Sequence, residues 1–204
     1  MNGVILDAGS FDQNDLITSS LEASLENWHW HRSTLPNQTM ARIADMNVIV
    51  TNKVAITASA LESASLQLIV IAATGTNNID LEAAQRKAIS VCNVRNYASP
   101  AVSQHVFSMM LALYTHLSDY ANAVREGRWH QSPVFCLLDY PINELAGKTL
   151  GIIGYGNLGK RVARIAQGFE MNVIIAARPG TTTIPPGRVS FDELIDTSDV
   201  ISLH

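Results

Sequence analysis

Between residues 149 and 167 a short apolar run, Thr149-Leu-Gly-Ile-Ile153, leads without a break into Gly154-Tyr-Gly-Asn-Leu-Gly159. It continues as Lys160-Arg-Val-Ala-Arg-Ile-Ala-Gln167, a stretch of helical period. A glycine triplet at this spacing is a weak signal by itself; the strand before it and the helix after it give it content. In that setting each glycine has a task. Gly154 makes the tight turn, Gly156 removes the Cβ that would block a pyrophosphate, and Gly159 lets the helix pack close to the strand. Backbone amides near Asn157 and Leu158 then face the phosphates from the positive end of the helix. The motif Gly154, Tyr155, Gly156, Asn157, Leu158, Gly159 is therefore read as a cofactor-binding turn.

The next apolar strand, residues 172–176, is expected to end at the adenosine ribose. A site specific for NAD usually places Asp or Glu there to accept from the 2′-hydroxyl. Here the tip reads Ala177-Arg178-Pro179, with no carboxylate. Arg178 suits a 2′-phosphate through charge-assisted bonds, which favours NADP(H) and leaves NAD(H) open.

The same alternation runs through the rest of the chain. Residues 3–6, 47–50, 68–72 and 90–92 are short and rich in Val, Ile and Leu, as buried parallel strands are. Helical patterns fill the gaps at 15–25, 58–64 and 81–88, with Thr57 and Asp80 as caps for the latter two. Residues 28–32 read as a further strand. A long helix is expected over 100–127, opened by Pro100 and stopped by Gly127, then a loop over 128–143. Strands at 148–153 and 200–203 and a capping box at Ser190-Phe-Asp-Glu193 complete the series. The fold class expected is α/β: a flavodoxin-like domain over 1–97 and the first half of a Rossmann dinucleotide-binding domain over 98–204.

Composition narrows the function classes. With 204 residues and a net charge of −4, the chain shows no basic surplus of the kind a nucleic-acid or anionic-membrane partner demands. Its longest mostly apolar run, residues 106–117, falls short of the about 20 residues needed to span a bilayer. The amino-terminal residues carry no signal-peptide pattern, so a cytoplasmic protein is expected. Cys92 and Cys136 sit in no metal-type spacing and are read as reduced core thiols. Trp28-His-Trp-His31 alternates like a strand, and no metal is expected there or elsewhere.

Residues 144–159, Glu144-Leu-Ala-Gly-Lys-Thr-Leu-Gly-Ile-Ile-Gly-Tyr-Gly-Asn-Leu-Gly159, closely resemble the nucleotide-binding segment of the D-isomer-specific 2-hydroxyacid dehydrogenases. Ala73-Thr-Gly-Thr-Asn-Asn-Ile-Asp80 is similar to that family's substrate-loop signature. Ala101-Val-Ser-Gln-His105 and Arg125-Glu-Gly-Arg-Trp129 resemble the two ends of its dimerisation helix, and Asp199-Val-Ile-Ser-Leu-His204 its fourth nucleotide-domain strand. Within the family, Asn52-Lys53-Val and Asn93-Val-Arg-Asn-Tyr97 look most like glycerate dehydrogenases, or hydroxypyruvate reductases. The resemblance implies a substrate domain followed by a nucleotide domain, an active site in the cleft between them, a homodimer through 100–127, and small 2-oxo or 2-hydroxy acids as substrates. It places backbone amides of Thr74 and Gly75 on the substrate carboxylate, Asn52, Lys53 and Tyr97 near the substrate, and Val102 and His204 near the cofactor.

In that family an arginine polarises the carbonyl while a histidine paired to a glutamate exchanges the proton. All three follow the strand at 200–203, so the resemblance assigns no catalytic residue here. His105 and His130 align with neither role. Residues 1–204 alone are thus expected to be inactive, as a C-terminally truncated form, with three nucleotide-domain strands representing one half of the fold and the strand at 148–153 left as an edge. A non-catalytic nucleotide sensor or corepressor-like protein is the alternative, and formate, phosphite or phosphoglycerate chemistry on the same fold is a third reading.

Overall fold

The computed structural model describes residues 1–204, which divide into two compact units, Met1–Asn96 and Tyr97–His204. The first unit contains β1 (Asn2–Ile5), α1 (Ser19–Glu22), β2 (Asn27–Trp30), α2 (Pro36–Ile43), β3 (Val48–Thr51), α3 (Ala58–Glu62), β4 (Leu68–Ile71), α4 (Leu81–Arg86) and β5 (Ser90–Asn93). Its strands form one parallel sheet in the order β2-β1-β3-β4-β5, the flavodoxin-like order. Both faces are covered. Val4, Ile49, Ile69 and Ile71 pack on one side with Ile56, Leu61 and Ile79, while Ile5 and Val50 pack on the other against Phe11, Leu21 and Trp28. That two-sided burial is why these strands read as unbroken apolar runs.

The second unit contains α5 (Ser99–Tyr114), α6 (Leu117–Arg125), α7 (Arg128–Gln131), β6 (Thr149–Ile153), α8 (Asn157–Gly168), β7 (Asn172–Ile175), α9 (Phe191–Thr197) and β8 (Val200–Leu203). Leu150 and Ile152 pack with Val162, Ala163 and Ala166 of α8 and with Phe107 and Met110 of α5. On the opposite side Gly151 makes room for α9: a Cβ there would lie 2.8 Å from the Leu194 side chain.

The sheet order, β7-β6-β8, corrects one expectation. The strand over 148–153 is the centre of its sheet, not an edge. The strand that would extend the sheet beyond β7 is reduced to a single bridge, Ala176 to Val189, and β8 crosses to the far side of β6. Asp199 secures that placement. Its backbone amide donates to the Thr149 carbonyl at 2.9 Å, and its carboxylate accepts from the Thr149 amide at 2.7 Å. The Thr149 bond is also the main reason its carboxyl pKa lies below the ordinary value, with Lys148 adding to it. The three strands therefore straddle the switch point of the fold rather than filling one half of it.

Other elements differ from expectation in smaller ways. The helix over 100–127 is two helices, broken at His116, whose φ of 48° is left-handed and whose ring stacks on Tyr140. Gly127, with φ 77°, ends the second helix as expected, but α7 follows within the segment read as a loop. The expected helix at 15–25 shrinks to α1, because Asn14 has a positive φ and the Asp12 carboxylate takes the amides of Asn14 and Asp15. Asp80 and Ser190 cap α4 and α9 through the amides of Ala83 and Glu193; Thr57 occupies the cap position of α3, but its hydroxyl meets Ser59 instead. Both cysteines are free, but neither is a core residue: Cys92 is exposed because β5 is an edge strand, and Cys136 is half-buried in the segment after α7. No helix is long and apolar enough to cross a membrane.

Candidate functional site

In the second unit β6 delivers the chain into the glycine turn, and α8 opens with Gly156 as its N-cap. Gly154 has φ 96°, and a Cβ there would collide with the His204 carbonyl oxygen. A Cβ on Gly159 would collide with the Gly154 carbonyl and lie 3.1 Å from the Ile152 side chain, so the helix sits on the strand at glycine distance. Gly156 differs from both: a Cβ there would meet nothing within 4 Å. The space over it is open, as a cradle for an anion must be. The Lys160 amide donates to the Gly156 carbonyl at 3.0 Å, and the first turn of α8 lies at the positive end of the helix dipole. No acidic residue occurs between Gly154 and Gly159. These features fit a dinucleotide diphosphate.

The remaining residues expected near a cofactor lie in the same unit, and His204 alone is shown against the turn. His204 donates its amide to Ile153 and pairs its Nε2 with Ser202 Oγ at 3.0 Å, and burial pushes its imidazole pKa down. Val102 is half-buried in the first turns of α5. Its neighbour Ser103 accepts from Arg161 Nε at 3.1 Å, which fastens α5 to α8. Arg178 is exposed just past β7, in a tight turn where Thr181 bonds its carbonyl, beside a cavity of about 470 Å³ lined also by Pro179, Gly180, Ser190 and Asp192. Sequence reasoning missed a second cation here. Arg188 donates to the Ala176 carbonyl at 2.8 Å and lies 5.9 Å from the Tyr155 ring centre, between the β7 tip and the glycine turn. The Ala176–Val189 bridge, next to it in the chain, holds this segment against the β7 tip.

In the first unit the structure gathers Asn52, Lys53, Thr74 and Gly75 at the carboxyl ends of β3 and β4. Asn78 Nδ2 donates to the Val54 carbonyl, and Ile56 pairs with Ile79, so the two loops are stitched together. Thr74 is fixed through its hydroxyl on the Val94 carbonyl and its carbonyl on Asn93 Nδ2. Tyr97 belongs to the second unit and is exposed. A further residue missed in the sequence is Asp7. Its buried carboxylate accepts the amides of Asn52 and Lys53 at 2.9 and 2.8 Å and the Thr51 hydroxyl at 2.9 Å. The partners lie 44–46 positions away along the chain, so no local pattern announces them.

Residues 107–204 match the model of the D-isomer specific 2-hydroxyacid dehydrogenase NAD binding domain. The chain is 42% identical over 171 residues to glycerate dehydrogenase of Methylorubrum extorquens, covering 83% of this chain and 53% of that protein. It is 33% identical over 210 residues to hydroxypyruvate reductase of Blautia hydrogenotrophica, covering 100% of this chain and 65% of that one. The chain thus spans between half and two thirds of the length of these relatives. Among solved structures, an acyclic imino acid reductase in complex with NADPH and D-Arg superposes with a TM-score of 0.81 at 23% identity, over 100% of this chain and 65% of that one, which establishes likeness of fold.

Proposed function

The chain belongs to the D-isomer-specific 2-hydroxyacid dehydrogenase family, and from that premise we propose that the protein is a nicotinamide-dependent oxidoreductase acting on small 2-oxo acids such as hydroxypyruvate and glyoxylate. The observation that carries this reading is the acid-free glycine turn, open over Gly156, at the start of α8. When bound, the reduced nicotinamide supplies a hydride to the carbonyl carbon, and a proton reaches the carbonyl oxygen to give the 2-hydroxy acid. Residues 1–204 serve binding and orientation in this scheme. Gly154–Gly159 take the diphosphate at the helix dipole, with Val102 and His204 beside the cofactor. Arg178 takes a 2′-phosphate, which favours NADP(H) over NAD(H). Amides of Thr74 and Gly75 take the substrate carboxylate, with Asn52, Lys53 and Tyr97 around the rest of the acid. In this scheme the unit Met1–Asn96 is the substrate domain and the unit Tyr97–His204 carries the cofactor.

A homodimer formed through residues 100–127 is part of the same proposal. Its support is the exposed apolar side chains Met109, Leu113, Leu117 and Val124 on that stretch, more than isolated surface residues require.

The test is a comparison of kcat/KM on the full-length protein with hydroxypyruvate, glyoxylate, phosphoglycerate and formate, each with NADPH and NADH. Hydroxypyruvate or glyoxylate with NADPH is expected to give the highest value. A higher value with formate or phosphoglycerate would overturn the substrate assignment, and a preference for NADH would overturn the cofactor assignment.

A further inference from the structure

We propose that Asp7 is a positioning residue for substrate binding, its buried carboxylate setting the conformation of the Asn52–Lys53 loop. The proposal rests on the reading above that Asn52 and Lys53 meet the substrate. Asp7 lies two residues past the end of β1 and is only 7% exposed. Oδ1 accepts from the Asn52 amide and the Thr51 hydroxyl, each at 2.9 Å, and Oδ2 accepts from the Lys53 amide at 2.8 Å. The Thr51 hydroxyl in turn accepts from the Val54 amide at 3.1 Å, so the backbone from 51 to 54 is organised around one carboxylate. Ser10 extends the arrangement. Its hydroxyl donates to the Asp7 carbonyl at 2.7 Å, and Asn52 Nδ2 donates to that hydroxyl at 3.1 Å. Asn52 is therefore held by both its main chain and its side chain.

The location makes this more than loop anchoring. In the order β2-β1-β3-β4-β5 the crevice where doubly wound sheets bind ligands opens between the carboxyl ends of β1 and β3, and Asp7 and Lys53 lie at those two ends. A cavity of about 410 Å³ flanks them, lined also by Ser10, Arg32 and Thr34. Consecutive backbone amides fixed on an internal anion give the loop one geometry before any ligand arrives. Lys53, a flexible cation on a long stem, gains its direction from that backbone.

The experiment uses the full-length protein with hydroxypyruvate as varied substrate and NADPH saturating, comparing wild type, Asp7→Asn, Lys53→Ala and the double variant. Asp7→Asn keeps one acceptor oxygen and turns an NH2 donor toward one of the two backbone amides that the carboxylate accepts. It is expected to raise KM about tenfold, with kcat and NADPH affinity within about twofold, as loss of substrate positioning does. In the Lys53→Ala background the same change is expected to raise KM less than about twofold, because its effect passes through Lys53. If Lys53→Ala raises KM but Asp7→Asn leaves it unchanged, or if the two effects simply multiply, the positioning role is refuted while the substrate reading stands. If Lys53→Ala itself leaves KM unchanged, the substrate reading fails and takes this proposal with it. Should Asp7→Asn fold poorly, Thr51→Val removes, at nearly constant volume, both the hydroxyl donor to Asp7 and the acceptor of the Val54 amide; a KM raised about threefold supports the proposal and an unchanged KM overturns it.

Discussion

The two parallel sheets end in loops that face the same physical problem and resolve it in opposite ways. At the end of β3 the amides of Asn52 and Lys53 are answered from within, by the buried Asp7 carboxylate. At the end of β6 the turn carries no acid, its glycines remove side chains, and the space over Gly156 is open. A loop that receives its anion from its own chain becomes a rigid mount for the side chains it bears. A loop denied one, at the positive end of a helix, is shaped to take an anion from outside. The comparison assigns different work to the two units from the same architecture.

The largest effects concern the cores that hold the two loops. Ile49→Ala in the first sheet and Leu150→Ala in the second, both fully buried, are each expected to cost about 2–5 kcal/mol in denaturant unfolding. Amide exchange should place each loss in the unit that carries the substitution. A loss spread evenly over both would break the division on which the comparison rests.

A sharper contrast lies within the glycine turn. Gly159→Ala forces a Cβ against the Gly154 carbonyl and is expected to cost about 1–3 kcal/mol of stability. Gly156→Ala meets no neighbour and is expected to leave unfolding within about 1 kcal/mol while weakening dinucleotide binding. Equal effects of the two on stability and binding would erase the distinction between a packing glycine and a ligand-facing one.

These contrasts show what the sequence discloses and what it withholds. The strands at 47–50 and 68–72 and the bend at 154–159 are legible because local chemistry decides them: two-faced burial demands unbroken apolar runs, and a tight turn demands glycine. The position of β6 is not legible in that way. Whether Val200–Leu203 pairs with β6 or β7 depends on Asp199 reaching Thr149, 50 residues away. Helix α2 escaped notice because Thr39 and Ile43 are its only buried residues, too few to show a period; its signal was Pro36 at the start and Gln38 reaching back to the Leu35 amide at 3.0 Å. Asp7 and Arg188 were hidden for the same reason as the sheet order, since their partners are distant in the chain.

Arg178→Ala is next in size. Loss of one charge-assisted bond, roughly 1.5 kcal/mol, is expected to reduce the preference for NADPH over NADH about tenfold. An unchanged ratio would leave Arg188, near Tyr155, as the cation to replace next. The smallest effect is one of pH. Burial first, and then the charges of Arg42 and His29, push the His31 pKa below its ordinary 6.5. The unfolded chain therefore takes up that proton before the folded one does. Stability is at its full value above that pH and declines as pH falls through the window below it. Urea midpoints measured from pH 7.5 to 5 should fall less steeply for His31→Gln than for wild type; parallel slopes would remove His31 from the account.

Calorimetric titration of the full-length protein with NADPH and NADH, beside a Gly156→Val variant, tests the comparison at its root. The account predicts saturable binding by the wild type and at least about tenfold weaker binding by the variant, whose side chain fills the space over the helix terminus. Absence of binding heat with both coenzymes, or a variant that binds as tightly as the wild type, would contradict it.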